Sequence, residues 1–226
     1  MASTQGPRHL GNDGLIADPI SYWDSRHRTV DEWRSGGDRS LSALRNCAFY
    51  AHRFGQLVGL LERHSRGVDL RILDAGCGKG WLTDQLARLG HRMVGVDPSD
   101  SAIKICRATR SGRFVRTTLD GVVDRHGFDV VICMDVLFHI LDDAVWDNSL
   151  SNLAACLRME GALIVTDYAS EERVILGDYI VHRPLGETRG TLARYGLRLV
   201  ETLPYRFSGN PNAFLVFRHD AAAGLR

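Results

Sequence analysis

The chain has 226 residues, 44% of them apolar and 24% charged, with a formal net charge of +1. That length suits one α/β domain carrying a short extra segment, and it is enough to bury a full core. Near-neutral charge with no run of like charges argues against a nucleic-acid partner. Five scattered cysteines without CxxC spacing argue against a disulfide framework or a zinc site, and no apolar run approaches the ~18 residues of a membrane span.

Residues 1–16 are rich in Gly, Ser, Asn and Pro and predict a mobile tail. With no apolar stretch in it, a secretory leader is not expected, and the expected location is cytoplasmic. Residues 17–66 read as a helical N-terminal layer. Within it, SYWDSRHRTVDEWRSGGDRS predicts a short helical piece and a Gly-Gly break. Leu41–Arg63 predicts a helix with one apolar stripe: Leu41, Leu44, Ala48, Ala51, Phe54, Leu57, Val58 and Leu61. Tyr50 falls on that stripe and Arg53 at its edge.

From residue 67 a strand–helix rhythm begins. Leu70–Asp74 is a short apolar strand, followed by the turn Gly76–Gly80 and a helix with Trp81, Leu82, Leu86 and Leu89, closed by Gly90. Arg92–Asp97 is the second strand. Pro98 and Ser99 open a helix carrying Ala102, Ile103 and Cys106. Phe114–Thr117 is the third strand. Phe128–Met134 is the fourth, apolar enough to be buried on both faces. A helix over Asp142–Arg158, ended by Gly161, leads to the fifth strand, Ala162–Asp167. Residues 168–184 show no clean period. Leu185–Tyr195 predicts a helix, and Leu197–Thr202 and Ala213–Arg218 predict two strands joined by a long turn.

Alternating strands and helices imply a doubly wound, Rossmann-like sheet of seven strands, mostly parallel, with an antiparallel last strand at one edge. Such sheets bind ligands at the carboxyl ends of their strands, here the first, second and fourth.

The motif ILDAGCGKG, Ile72–Gly80, joins strand to helix through Gly76, Gly78 and Gly80. Glycines let a backbone turn sharply and approach a ligand, and N–H groups at a helix start favour an anionic group. Asp97 ends the next strand, where a carboxylate can hold both hydroxyls of a ribose; its alternative role is a helix N-cap. The spacing is not G-x-G-x-x-G, and no phosphate-loop lysine motif is present, which argues against nicotinamide cofactors and against nucleotide hydrolysis.

LDAGCGKG, with VGVDPS downstream and FDVVICMDVLFHILDD further on, resembles class I S-adenosylmethionine-dependent methyltransferases over roughly residues 70–218. The resemblance implies S-adenosylmethionine as cofactor. It places Asp97 and Pro98 at the ribose, Gly76 and Gly78 at the methionine part, Asp74 near its amino end, Leu119 and Asp120 beside the adenine, and Asp135 near the methyl donor. It also implies that residues 17–66 are a lid. Arg53 would pair with the methionine carboxylate, and Tyr22 and Trp23 would cover the sulfonium, which a ring face attracts.

His139, just past the fourth strand, is the candidate catalytic base, with a pocket-shaping role as the alternative. Asp135, four residues before it, is placed to orient it. Asp167, Tyr168, His182 and Arg183, in a substrate segment at about residues 168–196, are candidate acceptor contacts beside His139. The remaining histidines, His27 among them, read as surface or structural, and no acid cluster suggests a catalytic metal. The expected activity is methyl transfer to an oxygen or nitrogen of a small polar metabolite, such as a sugar or natural product. The expected protein is a monomer or homodimer acting without nucleic acid or membrane. A non-catalytic member of the fold, serving as a regulatory partner, is the alternative.

Overall fold

The computed structural model describes residues 15–219 apart from residues 39 and 66. Most of the expected N-terminal tail, residues 1–14, lies outside them. A seven-stranded sheet forms the centre. Its strands are β1 (Arg71–Ala75), β2 (Arg92–Asp97), β3 (Arg113–Arg116), β4 (Phe128–Cys133), β5 (Leu157–Tyr168), β8 (Leu197–Pro204) and β9 (Asn212–His219), in the order β3-β2-β1-β4-β5-β9-β8. The first five pair in parallel. β9 runs antiparallel between β5 and β8. The reversed strand is therefore the last in the chain, as expected, but it is not the edge. β8 is the edge, since β9 pairs with β5 on one side and with β8 on the other.

Strand alternation sorts the core onto two faces. Ile72, Val130, Ile132, Ile164 and Val216 face helices α3 (Ala43–His64) and α4 (Trp81–Arg88), where Leu57, Leu60 and Leu86 meet them. Leu73, Val131, Leu163, Val165 and Phe217 face α6 (Asp143–Cys156) and α7 (Leu185–Ala193). Helix α5 (Asp100–Thr109) packs Ile103 and Cys106 on Phe114 of β3.

The N-terminal layer consists of α1 (Pro19–Thr29), α2 (Glu32–Ser35) and α3. Asp18 caps α1 by accepting from Ser21 N at 3.0 Å, with Pro19 in the first turn, where its missing N–H costs nothing. The buried face of α3 differs from the expected stripe. Leu44 is 80% exposed, and Ala48 and Ala51 are also outside; the buried positions are Asn46, Phe49, Arg53, Leu57, Leu60 and Leu61. Two polar residues sit on that face because both are partnered. The Asn46 amide bridges Asp38 O and Leu41 O at 2.9 and 3.2 Å, and Arg53 meets a carboxylate described below.

Other boundaries shift for local reasons. Leu89 is 54% exposed and lies outside α4 rather than on its core face. The sixth helix ends at Cys156, and the chain enters β5 directly at Leu157, with a register irregularity against β4. Gly161 is inside that strand: a methyl there would meet Leu157 Cδ1 at 2.7 Å and Asp129 O at 2.8 Å. Residues 168–184 hold a two-stranded hairpin, β6 (Val174–Leu176) and β7 (Ile180–His182), too short to show a period. No helix among the described residues is long and apolar enough to cross a membrane.

Candidate active site

A cavity of about 350 Å³ opens at the carboxyl ends of β1, β2 and β4, roofed by α1 and α2. Its walls include Arg53, Asp74, Gly76, Gly78, Asp97, Pro98, Leu119, Asp120, Asp135 and His139. These residues are far apart in the chain. Parallel pairing sets Asp74 level with Gly95, and Asp97 level with Arg116, so that the ends of β1 and β2 share one rim.

The glycine turn is built for close approach. Gly76 has φ +81°, and a methyl group on it would lie 2.4 Å from Val136 Cγ2. Left-handed backbone without space for a Cβ leaves only glycine. Four N–H groups of the turn are committed internally: Gly76 and Cys77 donate to Val96 O at 2.8 and 2.9 Å, Gly78 donates to Asp97 Oδ2 at 2.9 Å, and Gly80 donates to Cys77 O at 2.9 Å. These four donors are thereby spent inside the protein and do not cradle a pyrophosphate. The turn also presents carbonyl oxygens beside the Asp74 carboxyl, which suit an ammonium.

Two acids flank this turn. Asp97 is 7% exposed and accepts from Gly78 N and Ser99 N, each at 2.9 Å. Asp74 is 2% exposed and accepts from Thr83 Oγ1 at 2.5 Å. Burial pushes both carboxyls up to about 6. Leu119 is held beside them by Asn152 of α6, whose Nδ2 donates to Leu119 O at 2.7 Å and Val122 O at 2.8 Å.

Past β4 the chain takes an unusual conformation. Asp135 has φ +53°, a region that asparagine and aspartate tolerate better than other side chains. Its N–H donates to Thr166 Oγ1 at 2.7 Å, while its Oδ1 accepts from Thr166 Oγ1 at 3.0 Å and from the Tyr205 hydroxyl at 2.9 Å. Its Oδ2 meets Arg53 Nη1 in a buried ion pair. Burial opposes the Arg53 charge, but Asp135, Tyr205 and Tyr50 together hold its pKa above the usual value. The guanidinium lies over Phe49 at 4.0 Å and Tyr50 at 4.7 Å. Arg53 therefore reaches the cavity wall with Nη1 paired to Asp135 and with its Nε enclosed without a partner. Asp135 in turn does not orient His139.

His139 lies in a short 3-10 turn, Leu137–His139, and its Nδ1 donates to Tyr179 O at 2.9 Å. A carbonyl can only accept, so Nδ1 carries the proton and Nε2 keeps its lone pair. Burial lowers the ring to about 4, so it is neutral at pH 7. Tyr179 stacks on it at 5.6 Å with planes 10° apart, and Trp23 approaches at 4.6 Å.

Several expected residues stand elsewhere. Tyr22 packs on Trp23 and Tyr179, at 5.4 and 5.7 Å between ring centres, and is absent from the cavity wall, whereas Trp23 is part of it. Asp167 and His182 form a buried pair at 2.5 Å beneath Phe138. Arg183 is 1% exposed, bonded to Asp143 and Leu141 O and laid over Trp146 at 4.9 Å. Tyr168 packs edge-on against His182 at 6.0 Å. None of these four lines the cavity. The β6–β7 hairpin brings His182 and Arg183 down onto β5 and α6, burying both together with Asp167, while Tyr168 is half-buried.

Other wall residues were not singled out from the sequence. Trp81 is ringed by Trp33, Tyr50 and Phe54 at 5.4–5.9 Å, and Tyr50, Phe54 and Trp81 all face the cavity. His27, read above as surface or structural, is 4% exposed and also in the wall. A signal existed: Ile20, Trp23 and His27 recur at helical spacing on α1, and all three line the cavity.

Residues 72–161 match a family model described as a methyltransferase domain. A ubiquinone biosynthesis O-methyltransferase of Bradyrhizobium diazoefficiens is 37% identical over 114 residues, covering 46% of this chain and 44% of that one. A protein of the same name from Rhodopseudomonas palustris is 33% identical over 173 residues, covering 73% and 62%. The chain thus spans less than two thirds of the length of these relatives. Among solved structures, magnesium protoporphyrin IX methyltransferase of Synechocystis PCC 6803, with S-adenosylmethionine bound, superposes with a TM-score of 0.71 at 20% identity, covering 91% of this chain and 99% of that one. A Burkholderia thailandensis 1,6-didemethyltoxoflavin N1-methyltransferase superposes with a TM-score of 0.65 at 18% identity, covering 95% and 94%.

Proposed function

Because the chain belongs to the class I S-adenosylmethionine-dependent methyltransferase family, we propose that it transfers a methyl group from S-adenosylmethionine to an oxygen of a small molecule. The observation that carries this reading is the joint wall formed by the glycine turn, Asp74, Asp97 and His139 around one cavity. The fit to the cofactor is chemical as well as spatial. A turn that offers carbonyls beside a carboxyl suits the α-ammonium of the methionine part, and Asp97 at the end of β2 suits a ribose diol.

S-adenosylmethionine, when bound, supplies a methyl group made electrophilic by positive sulfur. The chain's own residues do the rest. Asp97 and Asp74 bind in their ionised forms and fix the long axis of the cofactor. Leu119 offers an apolar surface to the base. The lid, through Trp23 and the aromatic ring around Trp81, excludes water and holds the acceptor in line, a positioning effect that can supply ~7–11 kcal/mol of a barrier. His139, neutral with its lone pair on Nε2, accepts the proton of an acceptor hydroxyl as the oxygen attacks.

Oxygen is favoured over nitrogen because a hydroxyl needs a base and His139 is held in the tautomer that provides one. The two relatives named as O-methyltransferases point the same way. The aromatic surroundings of His139 (Trp23, Phe138 and Tyr179) favour an acceptor with a flat aromatic ring over a sugar. Calorimetry with S-adenosylmethionine, followed by detection of S-adenosylhomocysteine in the presence of phenolic acceptors, tests the reading. No heat of binding at millimolar cofactor rejects it.

A further inference from the structure

We propose that His27 is a nucleoside-binding residue: it closes the ribose site from the lid side, donating from Nε2 to a hydroxyl oxygen whose proton goes to Asp97. The proposal rests on the nucleoside reading above and extends it to a residue of α1.

Three observations converge on His27. The first is position. His27 lines the cavity, and a methyl built on Gly78 would lie 3.3 Å from its Cε1 and 3.8 Å from its Nε2. That ring edge therefore covers Gly78, whose N–H is bonded to Asp97 Oδ2. A hydroxyl reaching Asp97 from the cavity passes within reach of it.

The second is registration. Asp24, one turn before His27, accepts from Ser99 Oγ at 2.8 Å, Ser101 N at 2.9 Å and Ser101 Oγ at 3.1 Å. Ser99 N in turn donates to Asp97 Oδ1. The helix that carries His27 is thus tied to the short segment that begins at the ribose acid, and Lys79 Nζ adds a bond to Val30 O at 2.7 Å just beyond α1.

The third is an unmet hydrogen-bonding group. His27 Nδ1 is enclosed without a partner. The ring is 4% exposed, and burial, with Lys79 and Arg26 nearby, lowers its pKa to about 4. A neutral imidazole has one donor and one acceptor. An orphaned lone pair is tolerated better than an orphaned N–H, which leaves the lone pair on enclosed Nδ1 and the proton on Nε2. Contact with Trp23, 6.0 Å between ring centres, would be served equally by an apolar ring. A neutral donor matches a hydroxyl; a ligand carboxylate calls for a cation.

The test compares wild type, His27→Phe and His27→Gln by calorimetry with two probes. Both probes carry the adenine and the ribose, but S-adenosylhomocysteine also carries the amino acid, which 5′-methylthioadenosine lacks. The expected result is ~5–10-fold weaker binding of both probes by His27→Phe, with partial recovery in His27→Gln, whose amide N–H can reach where Nε2 did. Unchanged binding by His27→Phe would show that the ring only packs. A loss confined to S-adenosylhomocysteine would place His27 at the amino-acid end and overturn the proposal. So would a glutamine variant as weak as the phenylalanine one. Wild-type protein that binds neither probe would remove the nucleoside reading itself, and this proposal with it.

Discussion

Replacing Asp97 by Asn changes one oxygen for an NH2 group and keeps the shape. The Asp97 carboxylate accepts from Gly78 N and Ser99 N at 2.9 Å each. In Asp97→Asn, one of those N–H groups faces either a donor or nothing, so the glycine turn loosens even before a ligand arrives. The two charge-assisted bonds to the ribose hydroxyls, about 1.5–3 kcal/mol each in general, are weakened together. A net loss of about 3–4 kcal/mol converts to a ~100- to 1,000-fold weaker Kd. The pH dependence follows from burial, which holds Asp97 up at about 6. The hydroxyls bind the ionised form, so affinity is full above that value and falls as pH drops through it, by ~tenfold per unit for each group that must ionise. Asp74, also at about 6, contributes the same sign. Titration calorimetry with S-adenosylhomocysteine between pH 5 and 8 (on wild type and Asp97→Asn, with circular dichroism as the folding control) measures both effects. A folded variant that binds within threefold of wild type at pH 7.5, or a wild-type affinity flat down to pH 5, would refute the assignment of Asp97 to the ribose.

Other substitutions separate chemistry from architecture. His139→Ala should lower kcat ~100-fold or more while leaving the Kd for S-adenosylhomocysteine within about threefold; equal loss in both would make His139 a scaffold. Because burial keeps His139 near 4, the acid limb of kcat/KM near pH 6 should become shallower in either the Asp97 or the Asp74 variant, where one carboxyl is left to ionise, and keep its steepness in a His139 variant. Asp135→Ala strands the Arg53 charge in a site where its side chain is 5% exposed, and should cost about 3–5 kcal/mol in urea unfolding. Arg53→Met should cost less, since Thr166 and Tyr205 still donate to Asp135. Gly76→Ala combines a left-handed backbone, about 1–2 kcal/mol in general, with a methyl 2.4 Å from Val136. Adding Val136→Ala should restore part of the melting temperature but not all of it, because only the clash is relieved.

The places where expectation and structure part are instructive. Arg53 was legible as a residue at the edge of a helix stripe. Its pairing was not, since Asp135 lies 82 positions away and is presented only through a left-handed turn and the Thr166 hydroxyl. Asp167, His182 and Arg183 looked like acceptor contacts because they flank the end of a strand and an irregular segment. The hairpin formed by that segment buries them instead. Tyr22 and Trp23 are neighbours in sequence, but a helix turns ~100° per residue, so only Trp23 faces the cavity. His27 shares that face one turn later.

Local chemistry in the chain was enough to determine the strand–helix alternation, the glycine turn, the acid at the end of the second strand and the reversed final strand. Each of these depends on hydrophobic period, on glycine's freedom at positive φ, or on a carboxylate a fixed number of residues from a turn, all of which act over short stretches. Only the tertiary structure decided where β9 inserts, which N–H groups remain free, which cation meets which carboxylate, and which side of the lid looks inward. Those outcomes depend on groups that become neighbours after packing, and desolvation there rewards a buried polar atom only when its partner arrives from another part of the chain.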